Sequence, residues 1–423
     1  MAKQLATVVS ENTTGANWAN NVAHFPFRAE PRFGYPFATS EFTVRGGLMA
    51  VVLVHDWLTG MRGGEKCLEP ACERWPDAKL FTLLHRRGSV SPTIECLEPQ
   101  VSRLGRLPAI HKYYRYLLPA MPLAARWPIP PCELVLSFSH CIAKAAIPPV
   151  GVPHISYCFS PMRYAWHLRE SYFRTGKIKA KALDLILSRL RDWDRRTSDR
   201  VTHFIAISKT IQSRIRDCYD RPSTVVYPPV DTDFYTPLPV AAEREPFYLI
   251  VSAFAPYKRF DLAVAACTKL GRKLIVIGTG QQEKQLKAMA GPTVTFLGWQ
   301  SDEVIRDHYR RAKALLFPAE EDFGIVPVEA QSCGCPAIAY GRGGATETIR
   351  PVGTNDATGL FFEEQTIDAM IAAIEQFEQL SDRFDPRQCR RNALQFRKQR
   401  YEQELFGYVD NVLGNRSDTR RAA

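Results

Sequence analysis

The sequence predicts an α/β chain of two doubly wound, Rossmann-like domains with a cleft between them, and three observations carry that prediction. Short apolar runs alternate with helical patterns along most of the chain. Their spacing is that of strand–helix–strand crossovers, which are right-handed and build parallel sheets. Several of the runs end in glycine-rich or charged turns, at the strand ends where such sheets bind ligands.

Residues 1–48 are rich in Asn, Thr, Ser, Pro and Gly without periodicity and read as a loosely ordered N-terminal extension. The first Rossmann-like domain is expected over 49–238, with strands at 50–54, 79–84, 134–137, 154–158 and 202–207. Leu183, Leu187 and Leu190 line one face of a helix between the last two strands. Pro228, Pro229 and Pro237 mark a linker. The second domain, 239–387, alternates more regularly. Its strands read as 247–252, 273–277, 293–297, 314–317, 336–340 and 359–362, and its helices as 260–269, 281–290, 302–312, 327–333, 345–349 and 366–378. A last helical stretch at 388–413 places Leu405, Val409 and Val412 on one face, and 388–423 forms a C-terminal helix and tail.

A hydrophobic content of 45% against 23% charged residues excludes a disordered chain. No apolar run approaches the roughly 18 residues of a membrane helix. The eleven cysteines are odd in number and scattered, and the close pair Cys333 and Cys335 has no histidine beside it. They read as reduced thiols rather than a zinc site, and no metal is expected. Met1-Ala-Lys leads into polar residues rather than the apolar core of a signal peptide, so the expected location is cytoplasmic.

The net charge of +11 fits either polyanionic partners or an arginine-rich soluble surface. Part of it lies in 103–127, where Arg103, Arg106, Lys112, Arg115 and Arg126 alternate with Tyr113, Tyr114, Tyr116 and Trp127 and no acid occurs. Two readings stand level: an interfacial segment touching the inner face of the cell membrane or a lipid-linked acceptor, and a segment packed on its own domain. Nucleic acid is set aside as a partner, because no known binding module accompanies the charge.

The string Glu320-Glu321-Asp322-Phe323-Gly324-Ile325-Val326-Pro327-Val328-Glu329 carries the strongest chemical signal. Pro327 suits the first position of a helix, which puts Glu329 in its first turn and Glu321 in the loop before it. Two carboxylates at one cleft suit a hydroxyl-rich ligand, and the amides of Gly324, Ile325 and Val326 suit anionic oxygens. Lys258 and Arg259 follow the strand at 247–252 and offer a point charge and a fork for phosphate. Gly278-Thr279-Gly280 and Gly341-Arg342-Gly343-Gly344 are further glycine loops after strands. In the first half, Gly63 and Gly64 form another strand–loop–helix junction facing the cleft, and Asp56, His140 and Arg163 lie just past predicted strands.

With these residues in view, the chain resembles glycosyltransferase family 4 over roughly 49–413. The resemblance rests on Glu321 and Glu329 with Phe323-Gly324, the Pro327-Val-Glu329-Ala330 helix and Gly343-Gly344. Strings such as His55-Asp-Trp-Leu, Gly63-Gly64-Glu65, His140, Pro161-Met-Arg163-Tyr164 and Tyr257-Lys258-Arg259 look like bacterial mannosyltransferase-like members that build surface polysaccharide. The resemblance implies a GT-B fold, with the first domain taking the acceptor, the second the nucleotide-sugar donor, and the last helix crossing back to the first. It implies retaining transfer without a metal or other cofactor, from GDP-mannose first and UDP-sugars second, to a glycan or lipid-linked acceptor.

By position, Glu321 contacts the donor sugar, Glu329 the ribose, Lys258 and Arg259 the diphosphate, and the amides of Gly63 and Gly64 the phosphates. Arg163, His140 and Asp56 are the candidates for shaping the reacting site. Two positions depart from the family pattern: Ala253 stands where many members carry Arg, and Phe159 where many carry His. Alternatives to this transferase are a UDP-sugar enzyme of the same fold and a non-catalytic nucleotide-sugar scaffold.

Overall fold

The computed structural model describes residues 50–110, 113–166, 177–238 and 244–422, so the extension 1–48 and Lys112 lie outside it. The side chains of Leu183, Arg115 and Tyr116 are likewise not among those described. The first sheet comprises β1 (Val51–His55), β2 (Lys79–Thr82), β3 (Gln100–Val101), β4 (Leu134–Ser139), β5 (His154–Cys158), β6 (His203–Ala206) and β7 (Ser223–Val225). Its order is β3-β2-β1-β4-β5-β6-β7, and every pairing is parallel. The second comprises β8 (Glu245–Val251), β9 (Lys273–Ile277), β10 (Val294–Gly298), β11 (Ala312–Phe317), β12 (Ala337–Tyr340) and β13 (Gly359–Phe362), in the all-parallel order β10-β9-β8-β11-β12-β13.

Both sheets are covered on two faces, which explains why their strands read as unbroken apolar runs. In β1, Val51 and Leu53 enter one core while Val52 and Val54 enter another, as the alternation of strand side chains requires. The longer helices are α1 (Gly63–Arg74), α2 (Lys177–Thr197), α3 (Lys209–Tyr219), α4 (Phe260–Leu270), α5 (Glu283–Met289), α6 (Asp302–Arg311), α7 (Ile325–Ser332), α8 (Ile367–Gln379), α9 (Pro386–Ala393) and α10 (Lys398–Ala422). Each sheet reverses its order beside its own first strand, between β1 and β4 and between β8 and β11. The crevice at these switch points, beyond the carboxyl ends of the strands, is where the fold binds ligands.

The single terminal stretch read from the sequence is two helices, α9 and α10, parted by a tight 3-10 turn at Leu394–Phe396. Tyr401, Leu405 and Val409 are fully buried, one turn apart, in the core of the first domain. The Tyr401 hydroxyl donates to the Cys67 carbonyl at 2.7 Å, and Arg74 pairs with Asp410 at 2.8 Å. Helix α10 therefore packs back on the first domain.

Helix α7 also differs from its reading. It opens at Ile325, not Pro327, because Gly324 takes a left-handed conformation (φ 91°) and turns the chain two residues early. Proline is tolerated at the third position, where the backbone N–H has no partner within the helix. Glu329 consequently sits in the second turn, beyond the first-turn position expected of it.

Candidate functional site

At the second switch point, Lys258 closes a short turn after β8 and Glu321 lies in the loop after β11. Their ammonium and carboxylate form an ion pair in which both side chains are largely covered. Arg259 is adjacent in sequence but directed elsewhere: its guanidinium grips Asp261 at 3.0 Å. The glycine pair at 343–344 holds the Glu321 loop by contact. The Gly344 N–H donates to the Glu321 carbonyl at 2.7 Å, and a Cβ on Gly344 would lie 2.2 Å from the Phe323 Cα. Gly278 and Gly280 likewise allow the turn after β9 to touch Ser252 and Phe254. In the fold both glycine loops allow close packing of the strand-end turns.

Glu329 is buried in α7. Burial pushes its carboxyl up to about 7, while the Lys66 ammonium of the first domain, 3.9 Å away, pulls it back. The starts of α1 and α7 touch across the cleft, for a Cβ on Gly63 would meet Ile325 Cδ1 at 2.7 Å. Two helix N-termini thus converge, with the amides of Gly63 and Gly64 on one side and of Ile325 and Val326 on the other. Converging positive ends of helices make a site for a polyanion.

At the first switch point, Asp56 is fully buried rather than open to the cleft. Its carboxylate accepts from the backbone N–H groups of His140, Cys141, Ile142 and Ala143 at 2.5–2.9 Å and from His140 Nδ1 at 2.9 Å. Burial alone would raise this carboxyl, but the charge and hydrogen bonds of His140 prevail and hold it at about 2. Asp56 is therefore an anchor. It fixes the turn after β4 and one nitrogen of His140, whose ring stands edge-on to Trp57 at 4.4 Å and is the partly exposed member of the pair.

Arg163 reaches across the cleft to the Asp322 carboxylate, next to Glu321. Asp322 also binds Arg214 of α3, and its carbonyl accepts from the Ser208 hydroxyl at 2.6 Å. Glu347 of the second domain caps α3, accepting from the N–H groups of Lys209 at 2.7 Å and Thr210 at 2.9 Å. Sequence reasoning misses Ser208, Arg214, Asp322 and Glu347. Their partners lie more than a hundred positions away in the chain, where no periodicity points.

In the segment 103–127, Tyr114 and Trp127 are buried, with the Trp127 indole donating to the Thr82 carbonyl at 3.2 Å. Leu107 and Leu123 are exposed, as are Arg103, Arg106 and Arg126. Packing accounts for the first pair; the others add basic and apolar surface to the segment. Among the described residues no helix is long and apolar enough to cross a membrane.

Residues 235–396 match the family of glycosyl transferases group 1. A D-inositol 3-phosphate glycosyltransferase of Mycobacteroides abscessus is 31% identical over 168 residues, 35% of this chain and 36% of the relative. A GDP-mannose-dependent alpha-(1-6)-phosphatidylinositol monomannoside mannosyltransferase of Mycobacterium tuberculosis is 27% identical over 209 residues, 43% of this chain and 53% of the relative. The matched regions thus span between about a third and a half of these relatives. Among solved structures, Anabaena Alr3699/HepE in complex with UDP is similar over 86% of this chain and 100% of its own (TM-score 0.62, 17% identity). Sucrose-phosphate synthase from Thermosynechococcus elongatus is similar over the same shares (TM-score 0.64, 16% identity). These two likenesses concern the fold.

Proposed function

We propose that this chain, which carries a group 1 glycosyltransferase domain on a GT-B fold, transfers a sugar from a nucleotide-sugar to a glycan or lipid-linked acceptor. The observation that carries the reading is the Lys258–Glu321 pair at the second switch point, with Glu329 and two helix N-termini beside it. A diphosphate entering this site replaces Glu321 as the partner of Lys258 and frees the carboxylate for a sugar hydroxyl. Glu329 accepts from the ribose. The amides of Gly63, Gly64, Ile325 and Val326 receive phosphate oxygens, so the charge that grows on the leaving diphosphate meets fixed donors.

The bond between the sugar's anomeric carbon and the diphosphate oxygen breaks. A bond from the acceptor oxygen to that carbon forms on the same face, and the acceptor's proton leaves with the diphosphate. No metal or other cofactor enters the proposal. His140, held at Nδ1 by Asp56, presents its other nitrogen to the reacting sugar, and Arg163, held by Asp322, closes the cleft beside Glu321.

Mannose from GDP-mannose is the first donor, supported by the mycobacterial mannosyltransferase relative. UDP-sugars are the second, supported by the UDP complex of the Anabaena neighbour. Exposed Leu107, Leu123, Arg103 and Arg106 in one short segment suit a peripheral contact with an anionic membrane. A cytoplasmic enzyme there would meet lipid-linked acceptors of surface polysaccharide synthesis. A thermal-shift screen against GDP, UDP, ADP and their sugars tests the reading. Saturation at about 100 times the Kd adds roughly 2.7 kcal/mol, so one nucleotide family should raise Tm clearly, and no response to any would overturn it.

A further inference from the structure

Two histidines are buried at strand ends of the first sheet, and they are treated differently. His154 is fully covered and both nitrogens are satisfied, Nδ1 by the Arg200 carbonyl at 3.2 Å and Nε2 by the Ser137 hydroxyl at 2.8 Å. His55, the last residue of β1, is 1% exposed, yet among the described residues neither of its ring nitrogens has a well-formed hydrogen bond, the Trp57 backbone giving only a minor contact. A buried polar group left unpaired is costly, and such a group calls for a reason.

The placement of His55 supplies one. It ends the strand that feeds the Gly63–Gly64 turn, beneath the N-terminus of α1. The space a side chain at position 64 would occupy lies against the imidazole: a Cβ there would be 3.3 Å from Nε2 and 3.4 Å from the Phe159 ring. Glycine lets the backbone of α1 pass close to the ring, and Phe159 packs beside both, edge-on to His55 at 6.4 Å. Burial depresses the His55 pKa, helped by His140 and opposed by Glu65, Asp56 and a minor backbone hydrogen bond with Trp57, so the ring is neutral and can donate from one nitrogen. Only at the head of α1 do backbone N–H groups lack partners within the helix, and His55 lies beneath that head.

We propose that His55 is a binding residue of the diphosphate site, its imidazole N–H donating to a phosphate oxygen held at Gly63 and Gly64. The proposal rests on the donor-site reading above and adds a residue to it. It explains why an unpaired imidazole is retained under a glycine: the partner arrives with the ligand.

The test compares wild type with H55F, which keeps a ring in place and removes both nitrogens, using inorganic pyrophosphate and the nucleoside diphosphate that raises Tm. H55F should melt at or above the wild-type temperature, since no unpaired polar group remains. Its affinity for both ligands should fall by about tenfold or more, the size of a hydrogen bond to a charged group. Unchanged affinity of H55F for both would overturn the proposal and leave the donor site standing. If wild type binds neither ligand, the donor-site reading falls and takes this with it. Should H55F fail to fold, the imidazole nitrogen resonances of His55 in the 15N-labelled wild-type protein decide. A shift on saturation with pyrophosphate supports the assignment, and no shift overturns it.

Discussion

Asp56 and Glu321 both lie in turns that flank a switch point, Asp56 after the first strand of its sheet and Glu321 after the fourth of the other. Asp56 is sealed from solvent and saturated by four backbone amides and one imidazole; Glu321 keeps a fifth of its side chain exposed and has one ammonium partner. The first acid has spent its capacity on the fold and works through the histidine it orients. The second is held by a partner that a ligand can displace. Burial and saturation, rather than residue type or position, separate the anchor from the reacting group.

The largest effect that would sharpen this contrast is on stability. Asp56→Asn puts an amide against the N–H groups that now surround a carboxylate, and should cost about 3–5 kcal/mol, read as a fall in denaturant midpoint. The carboxyl titrates at about 2 in the fold against 3.8 normally. Its contribution is therefore complete above pH 3.8 and is lost as pH falls through about 2. Glu321→Gln, which keeps an acceptor for Lys258, should cost less, about 1–2 kcal/mol, and lower turnover by about a hundredfold. An Asp56→Asn protein as stable as wild type, or a Glu321→Gln protein that unfolds early, would erase the distinction.

Much of the fold is legible because its strands are covered on both faces and read as apolar blocks. The run predicted at 273–277 is β9 residue for residue, and 359–362 is β13. The edge strands β3 and β7 have two and three residues, too few to show a pattern. Helix α3 carries a sequence signal of its own, a Ser208 cap with Ile211 and Ile215 buried on one face.

In the site, Glu321, Glu329 and Lys258 are legible as types that suit a hydroxyl- and phosphate-bearing ligand, and the fold brings them to one crevice. The distinction between Asp56 and Glu321 is not legible, because it depends on amides 84 to 87 positions away. Nor is the cross-domain grip of Asp322, sitting unremarked between residues that were singled out.

A third carboxylate tests whether burial alone can hold an acid in reserve. Glu329 titrates at about 7 in the fold against 4.5 normally. A raised pKa means that its favourable balance is complete below pH 4.5 and is lost as pH rises through about 7, where a carboxylate must be kept buried. Glu329→Gln should therefore stabilise the free protein by about 1–3 kcal/mol at pH 8 and do nothing at pH 4.5, measured as the difference in Tm between mutant and wild type across that range. A flat difference would mean that Lys66 fully compensates the buried charge. Loss of nucleotide affinity alongside the gain in stability would mark the carboxylate as kept for a ligand.

The smallest effect concerns neighbours in sequence. Lys258 and Arg259 look like one basic pair, yet Lys258 faces Glu321 whereas Arg259 holds Asp261, two residues on, at the head of α4. Arg259 also sits in a left-handed backbone conformation, φ 51°, so its guanidinium is carried away from the crevice. Lys258→Ala should weaken nucleotide binding by about tenfold or more, the loss of a charge-assisted contact. Arg259→Ala should change it less than about threefold and cost no more than about 1 kcal/mol of stability, as for a partly exposed local ion pair. Equal losses of affinity in calorimetric titrations would show that Arg259 leaves Asp261 when the ligand binds, making the pair act as the sequence alone suggests.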